Sequence, residues 1–173
     1  MNKHLAFFLT AASLIVPAVM RAKTAKQVDL PEVVRHSLAT MPRFNVFDEI
    51  SYRIDGSTVT LTGEVTQPIV KQDAATAVKG VEGVTQVVNN IEVLPLSPND
   101  DRIRMDELRA IYAAPTLSGR YVVANPAIRI IVKNGLVRLE GVVANKMDHD
   151  VAGIRANGVF GALQVINNLK IES

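Results

Sequence analysis

The feature that most constrains this chain is an internal repeat. Shifting the 173-residue sequence against itself by 78 positions aligns residues 56–93 with residues 134–171 without a gap. Residues of the same type then fall in register, namely Val59 with Val137, Leu61 with Leu139, Gly63 with Gly141, Gly80 with Gly158, Gly83 with Gly161, and Asn89-Asn90 with Asn167-Asn168. A chain of this kind is expected to fold as two copies of one small unit of about seventy residues.

Each copy has the pattern helix, strand, strand, helix, strand, which predicts an α+β fold. In the first copy, Asp29 and Glu32 have the spacing of a capping box, and Pro31 is tolerated in the first helical turn. The corresponding helix of the second copy is predicted over residues 101–113, because it should end before Pro115.

The middle of each copy predicts a β-hairpin followed by a second helix. Alternating apolar residues flank turn signals at Asp55-Gly56 and at Asn134-Gly135. The second helix is predicted over residues 67–79 and 145–157. Four glycines near the ends of these helices suit positive-φ positions that lead into the last strand, namely Gly80, Gly83, Gly158 and Gly161.

Residues 1–22 are predicted to be an export signal. Lys3 provides a basic start, and an uncharged apolar run follows over residues 5–20. The run is shorter than the roughly 20 residues that span a bilayer, but Met20 beside the cleavage region is unfavourable, so an uncleaved membrane anchor is the alternative. The two copies are predicted over residues 28–94 and 101–172, joined by a stiff, proline-containing linker over residues 95–100.

The repeated motif carries a family resemblance. Val-x-Leu-x-Gly-x-Val, a helix, and then Val-x-Gly-x-x-x-Val-x-Asn-x-(Ile/Leu)-x-(Val/Ile) occur at residues 59–93 and again at 137–171. This arrangement resembles the BON domain, and two copies behind an export signal resemble periplasmic dual-BON proteins. The resemblance implies two tandem α/β-sandwich units without catalysis, and a role in binding phospholipid surfaces or in protection against envelope or osmotic stress.

The residue content argues against catalysis. The chain has no cysteine, which excludes a disulfide, a thiolate nucleophile and a cysteine-ligated metal. His149 lies between two carboxylates in the segment 146–150, but adjacent helical positions do not face one site, and the aligned segment 68–72 has no such groups. The two Asn-Asn pairs are expected to tie down neighbouring loops. We predict no catalytic residue, no metal site and no cofactor.

Charge is informative only when it is taken by region. The formal net charge is +2, but residues 1–22 contain two of the 19 basic residues and none of the 17 acidic ones. The remainder is therefore neutral, which argues against nucleic acid as a partner. Up to Ser97 it has 7 basic and 9 acidic residues, and from Pro98 onwards 10 basic and 8 acidic, so the two copies have opposite bias.

Strand alternation places part of this bias on one face of the second copy. Its outer sheet face is predicted to bind lipid or a partner through Arg129, Ile131, Arg138, Ile166 and Lys170. Two interpretations remain open at this point. The face suits anionic phospholipid headgroups, and it equally suits the acidic face of another copy, either within the chain or in a homodimer.

The sequence thus predicts a periplasmic, non-enzymatic binding protein that contacts phospholipid at the envelope. The alternative is a protein-interaction or chaperone-like stress module with an envelope protein as its partner.

Overall fold

Apart from one additional short helix in the second copy, the two copies form the same arrangement of helices and strands in the structure, a computed structural model that describes residues 29–118 and 126–172. The first copy contains α1 (Leu30–Ala39), β1 (Glu49–Asp55), β2 (Thr58–Val65), α2 (Pro68–Lys79), β3 (Gln86–Asn89) and β4 (Glu92–Val93). The second contains α3 (Pro98–Tyr112), α4 (Pro115–Ser118), β5 (Ile128–Lys133), β6 (Leu136–Val143), α5 (Lys146–Asn157), β7 (Gln164–Asn167) and β8 (Lys170–Ile171). The predicted α+β class and element order are confirmed, although the last strand of each copy is divided in two.

Each copy builds one mixed sheet. The hairpin β1–β2 is antiparallel, and β3 and β4 return parallel to the central strand β2. The second copy repeats this topology, with β5 antiparallel to β6 and with β7 and β8 parallel to it. The helices α2 and α5 pack against these sheets.

Helical and strand periodicity place the apolar side chains of each copy inside. In α2, Val70, Ala74 and Val78 recur every four residues and are fully buried. They pack with the inward residues Val59 and Leu61 of β2. The second copy has its own core, which includes Ile103, Ile111, Ile130, Val137, Leu139 and Ala152.

One glycine in each motif is required by close contact between strands. Gly63 has φ +124°, and a Cβ there would collide with the backbone oxygen of Glu49. Gly141 has φ +123°, and its Cβ would collide with the backbone oxygen of Ala127. No other residue fits at these positions, because the obstructing atoms are backbone. The glycine of the Val-x-Leu-x-Gly-x-Val motif is therefore explained by packing.

Two predicted turn features differ from the structure. In the first copy Asp55 pairs with Thr58, so the two-residue turn is Gly56-Ser57 rather than Asp55-Gly56. The positive φ of +59° at Gly56 allows the first position of such a turn. Gly80 and Gly158 have φ of −76° and −84° instead of the predicted positive values, because they complete right-handed helical turns. The positive φ falls three residues later, at Gly83 and Gly161.

The predicted start of the first helix of the second copy, at residue 101, is three residues too late. Helix α3 begins at Pro98, because Ser97 caps it by accepting a hydrogen bond from the Asp100 amide and proline is favourable in the first turn. The capping box predicted at Asp29 is absent, since the Asp29 side chain caps nothing and Glu32 pairs with Arg35. The predicted export signal lies outside the described residues.

Candidate functional site

The predicted outer sheet face of the second copy contacts the first copy. Arg138 donates a hydrogen bond to the Glu64 carboxylate, and Lys133, at the end of β5, lies with Nζ 2.7 Å from Oε1 of Glu92. These bonds raise the pKa of Arg138 and of Lys133 above their ordinary values. In this structure, the basic bias of the second copy is thus partly neutralised by acidic residues of the first.

Arg129 lies deeper in the same contact. Its guanidinium donates hydrogen bonds to the backbone oxygens of Asn45 and Asp48, both at 3.1 Å, and lies 4.1 Å from the centre of the Phe44 ring. Burial lowers the pKa of Arg129, and the nearby carboxylates of Asp48 and Glu49 oppose that effect. Arg129 therefore binds the first copy and is not a free cation at the surface.

The loop between α1 and β1 completes the contact. Val46 is 4% exposed and packs into the core of the second copy, while its backbone oxygen accepts a hydrogen bond of 2.9 Å from the Ile130 amide of β5. The buried Asp48 carboxylate shapes this loop by accepting hydrogen bonds from the backbone amides of Asn45 and Thr66. The loop thus contributes a side chain to the core of the second copy, and it binds a backbone amide of the edge strand β5. The two copies are therefore joined through the interior as well as at the surface.

The five residues predicted to bind lipid or a partner do not form one free surface. Ile131 is only 1% exposed, and Arg129 and Arg138 bind the first copy. Ile166 is half-buried, and Lys170 is exposed. Arg129 and Lys170 both line a groove of about 230 Å³ between the copies. Strand alternation alone does not show how much of this face the first copy covers.

The segment Lys146–Asp150 forms the first turns of α5. Asn145 caps α5, because its side-chain oxygen accepts a hydrogen bond of 2.9 Å from the Asp148 amide. Its side-chain nitrogen donates a second hydrogen bond, of 3.2 Å, to the Asp148 carboxylate. Hydrogen bonds from Lys146 and His149 lower the pKa of Asp150. These polar groups therefore stabilise the helix. Across the two described ranges, no group of three or more His, Asp or Glu side chains could hold a metal ion.

The first asparagine of each Asn-Asn pair ties a strand to a helix. Asn89 donates to the Lys71 backbone oxygen at 2.8 Å, and Asn167 donates to the His149 backbone oxygen at 2.9 Å. Each side-chain oxygen also accepts from the amide two residues later. The asparagines have a structural role, as predicted, but they bind the backbone of a helix rather than a neighbouring loop. They lie at the break between β3 and β4 and at the break between β7 and β8.

Glu107, in the middle of α3, is a buried acid that the sequence did not single out. Its side chain is fully buried, and neither carboxylate oxygen has a hydrogen-bond partner within the described residues. Burial, and secondarily the charge of Asp106, raise the pKa of Glu107 to about 8. A perturbed carboxyl often marks an active site, but this one has no exposed surface through which it could reach a substrate. The burial of this carboxyl group instead makes the stability of the protein depend on pH.

Large apolar side chains are exposed mainly in the second copy. Among the described residues, nine such side chains are exposed, of which one lies in the first copy, one in the connection and seven in the second copy. They are Ile69; Leu96; and Met105, Val142, Met147, Ile154, Phe160, Leu163 and Ile171. Single exposed apolar residues are ordinary, so this count shows a difference between the two copies and does not by itself define one continuous surface. None of the helices in residues 29–118 and 126–172 has the length and apolar character needed to cross a membrane.

The fold and its contacts define a class, a tandem α+β repeat protein whose two copies are joined by ion pairs and a shared loop. The BON domain family model matches residues 27–95 and 116–173, and the chain belongs to the BON domain family. The resemblance drawn from the repeated motif is thereby confirmed.

A curated relative and two solved structures are also similar. Osmotically-inducible protein Y of Escherichia coli (strain K12) is 29% identical over 128 residues, which cover 70% of this chain and 61% of that protein, less than two thirds of its length. The C-terminal domain of CdsD, a structural protein of the type III secretion system of Chlamydia trachomatis, matches with 12% identity and a TM-score of 0.32, over 86% of this chain and all of that one. Another CdsD structure matches with 11% identity and a TM-score of 0.29, over 84% and 93%. The likeness to CdsD is too distant to support any conclusion.

Proposed function

We propose that this protein is a non-enzymatic, periplasmic binding protein that contacts phospholipid at the cell envelope and protects it under osmotic or envelope stress. Membership of the BON family and similarity to a protein named for osmotic induction support the stress role. The export signal predicted over residues 1–22 supports the location.

The observation that carries the proposal is the exposed apolar surface of the second copy. Of the nine large apolar side chains exposed within residues 29–118 and 126–172, seven belong to it, whereas the described part of the first copy contributes Ile69. Membrane-surface contact requires apolar side chains that can leave water together with cations that can approach lipid phosphates. The second copy offers both, because Lys170 is exposed and is paired in register with the exposed Val142.

The first experiment measures co-sedimentation of residues 23–173 with anionic and with zwitterionic vesicles at two salt concentrations. We expect binding to the anionic vesicles that weakens at the higher salt concentration, because screening reduces the attraction between cations and lipid phosphates. Absence of binding to both kinds of vesicle would refute the proposal. If the protein then suppressed aggregation of an unfolding client, the chaperone-like alternative would replace it.

The contacts also determine which charge reversal is informative. Replacing Arg129 or Arg138 with Glu would disturb the contact between the copies, so weaker lipid binding would have two explanations. Lys170→Glu removes a cation for which no ion pair is seen among the described residues, so it breaks none of the hydrogen bonds and ion pairs described between the copies. We expect this variant to bind anionic vesicles less well than the wild type.

A further inference from the structure

Strand β1 forms one edge of the first-copy sheet, and every second residue of it directs its backbone groups away from β2. The hairpin closes on the pair Asp55–Thr58 across a two-residue turn, and opposite residues of an antiparallel pair alternate between bonded and non-bonded pairs. The amides and backbone oxygens of Ile50, Tyr52 and Ile54 therefore point outward. Among the described residues, no group outside the hairpin forms a hydrogen bond with them.

The equivalent edge of the second copy is fully used. The residues of β5 that align with these three are Ile128, Ile130 and Val132. The Tyr112 hydroxyl donates to the Ile128 backbone oxygen at 3.1 Å, and the Arg104 guanidinium donates to the Val132 backbone oxygen at 2.6 Å. Between them, the Ile130 amide donates to the Val46 backbone oxygen at 2.9 Å. The two copies thus differ at an edge that the sequence repeat makes equivalent.

Val46 shows what this edge of the fold can bind. Its backbone oxygen accepts a hydrogen bond from the outward amide of Ile130, and its side chain, which is 4% exposed, belongs to the core of the second copy. One segment of chain therefore supplies both a backbone group to the edge strand and an apolar side chain to the interior. Tyr52 has the aligned amide in the first copy.

A groove of about 240 Å³ lies beside this edge and is lined by α1 and β1. Its apolar lining includes Leu38, Ala39, Phe44, Ile50 and Tyr52. Two arginines also line the groove, but Arg35 pairs with Glu32 and Arg129 donates to the backbone of the loop between α1 and β1. The groove therefore suits an apolar side chain better than an anion.

An extended chain matches this edge in length and spacing. The pairing of β1 with β2 runs without a bulge from Glu49–Glu64 to Asp55–Thr58, and β1 contains no proline. The outward residues from Ile50 to Ile54 span roughly 13 Å, at about 3.3 Å per residue. A partner strand presents donors and acceptors along this whole distance, because its backbone groups alternate with the same period.

We propose that the first copy binds an extended polypeptide segment, which adds to the sheet beside β1 and places one aliphatic side chain in the groove between α1 and β1. Backbone hydrogen bonds then supply the affinity, and the groove selects the side chain. This is a further binding activity of the protein, and it does not rest on the proposed lipid contact.

The first test measures amide exchange by NMR with and without a probe peptide. The probe has seven residues, with threonine and valine alternating between a lysine at each end. At a peptide concentration ten times its Kd, we expect the outward amides of Ile50, Tyr52 and Ile54 to exchange about tenfold more slowly. The amide of Ile130 is the internal control, because it already has a partner, and its exchange should change by less than twofold.

Two matched comparisons separate strand addition from side-chain attraction. A probe with N-methylated valine and threonine amides keeps the side chains and the charge but lacks the donors, so we expect its Kd to be at least about tenfold higher. Ala39→Phe fills the groove and should raise the Kd of the unmodified probe by about tenfold. Gln72→Phe places the same side chain at an exposed position of α2 outside the groove, and it should leave the Kd within twofold.

Each of three results would overturn the proposal. They are unchanged exchange of the outward β1 amides, equal affinity for the N-methylated probe, and wild-type affinity in a folded Ala39→Phe variant. If that variant does not fold, the two probes compared on the wild type decide the question. Protection of the same amides that grows with protein concentration in the absence of peptide would assign the edge to a second copy of this chain instead. Vesicle binding is measured separately, so failure of the proposed function would leave this proposal standing, and the reverse also holds.

Discussion

The two copies share a backbone arrangement but differ in what they bury and what they expose. The first copy has an exposed Asp29 where the second buries Glu107, and an exposed Glu82 where the second exposes Phe160. At these two positions the second copy thus buries a charged residue and exposes an apolar one, whereas the first copy exposes a charged residue at both. The comparison shows that the two copies keep the same residue types at the inward strand positions, the glycines and the asparagines of the motif. At other positions the residues differ.

The divergence corresponds to a division of roles. The first copy supplies the loop around Val46 and the acidic partners Glu64 and Glu92, which together hold the second copy. The second copy supplies seven of the nine large apolar side chains that are exposed among the described residues. Four predictions test this comparison, in order of decreasing expected effect.

The shared motif glycine should be equally indispensable in both copies. Gly141→Ala and Gly63→Ala each drive a Cβ into a backbone oxygen at a positive φ, so each should lower the free energy of unfolding by about 4 kcal/mol or more. Denaturant unfolding measures the effect. Gly80→Ala is the control, because its φ is −76° and its Cβ would meet nothing closer than 3.5 Å. A mild effect in only one copy would show that the two hairpins are not equivalent.

Buried Glu107 should make the second copy less stable as the pH rises. Its folded-state pKa of about 8 exceeds the ordinary value of 4.5, so folding favours the protonated form. The stability is then greatest below the unfolded pKa and falls as the pH rises from about 4.5 to 8, by about 3 kcal/mol between pH 5 and 7.5. Glu107→Gln should remove this slope and stabilise the protein at neutral pH.

Denaturant unfolding at several pH values measures the contribution of Glu107. Asp29→Asn, at the aligned exposed position, is the control and should leave the slope unchanged. An unchanged pH dependence in Glu107→Gln would mean that the carboxyl has access to water or a partner.

The Arg138–Glu64 pair should couple the two copies. Glu64 has 12% and Arg138 26% of its side chain exposed, so removing one partner leaves the other poorly solvated. We expect Arg138→Met and Glu64→Gln each to cost about 1–2 kcal/mol, with a coupling energy of about 1 kcal/mol in the double variant. Hydrogen exchange of the Ile130 amide, which bonds to the first copy, reports whether the contact has loosened. Strictly additive effects would contradict a direct interaction.

The Lys133–Glu92 pair should have the smallest effect. It lies at the surface, and exposed ion pairs contribute little and are screened by salt. Lys133→Gln should therefore change the unfolding midpoint only slightly, and less at high salt than at low salt. A large, salt-independent loss would show that Lys133 is part of the buried contact.

Several features of the fold were predictable because they depend on local chemistry. Turn residues, apolar periodicity and proline positions predict the hairpins and place α2 and α5 within one residue of their observed starts. The predicted start of α3 is wrong because two nearby prolines favour a linker, although Ser97 and Pro98 are also good residues for beginning a helix. The covering of Arg129 was not predictable, because it depends on a loop more than 80 residues away.

The amino-acid sequence was sufficient to show that this protein consists of two copies of one unit, with one motif, one topology and opposite charge bias in the two copies. Periodicity and turn chemistry are properties of neighbouring residues, so they can be read along the chain. The folded structure was needed to show that the basic face of the second copy binds the first and that Glu107 is buried without a partner among the described residues. Each of these depends on which segments, distant in the sequence, cover a side chain and exclude water from it. That arrangement exists only in the folded protein.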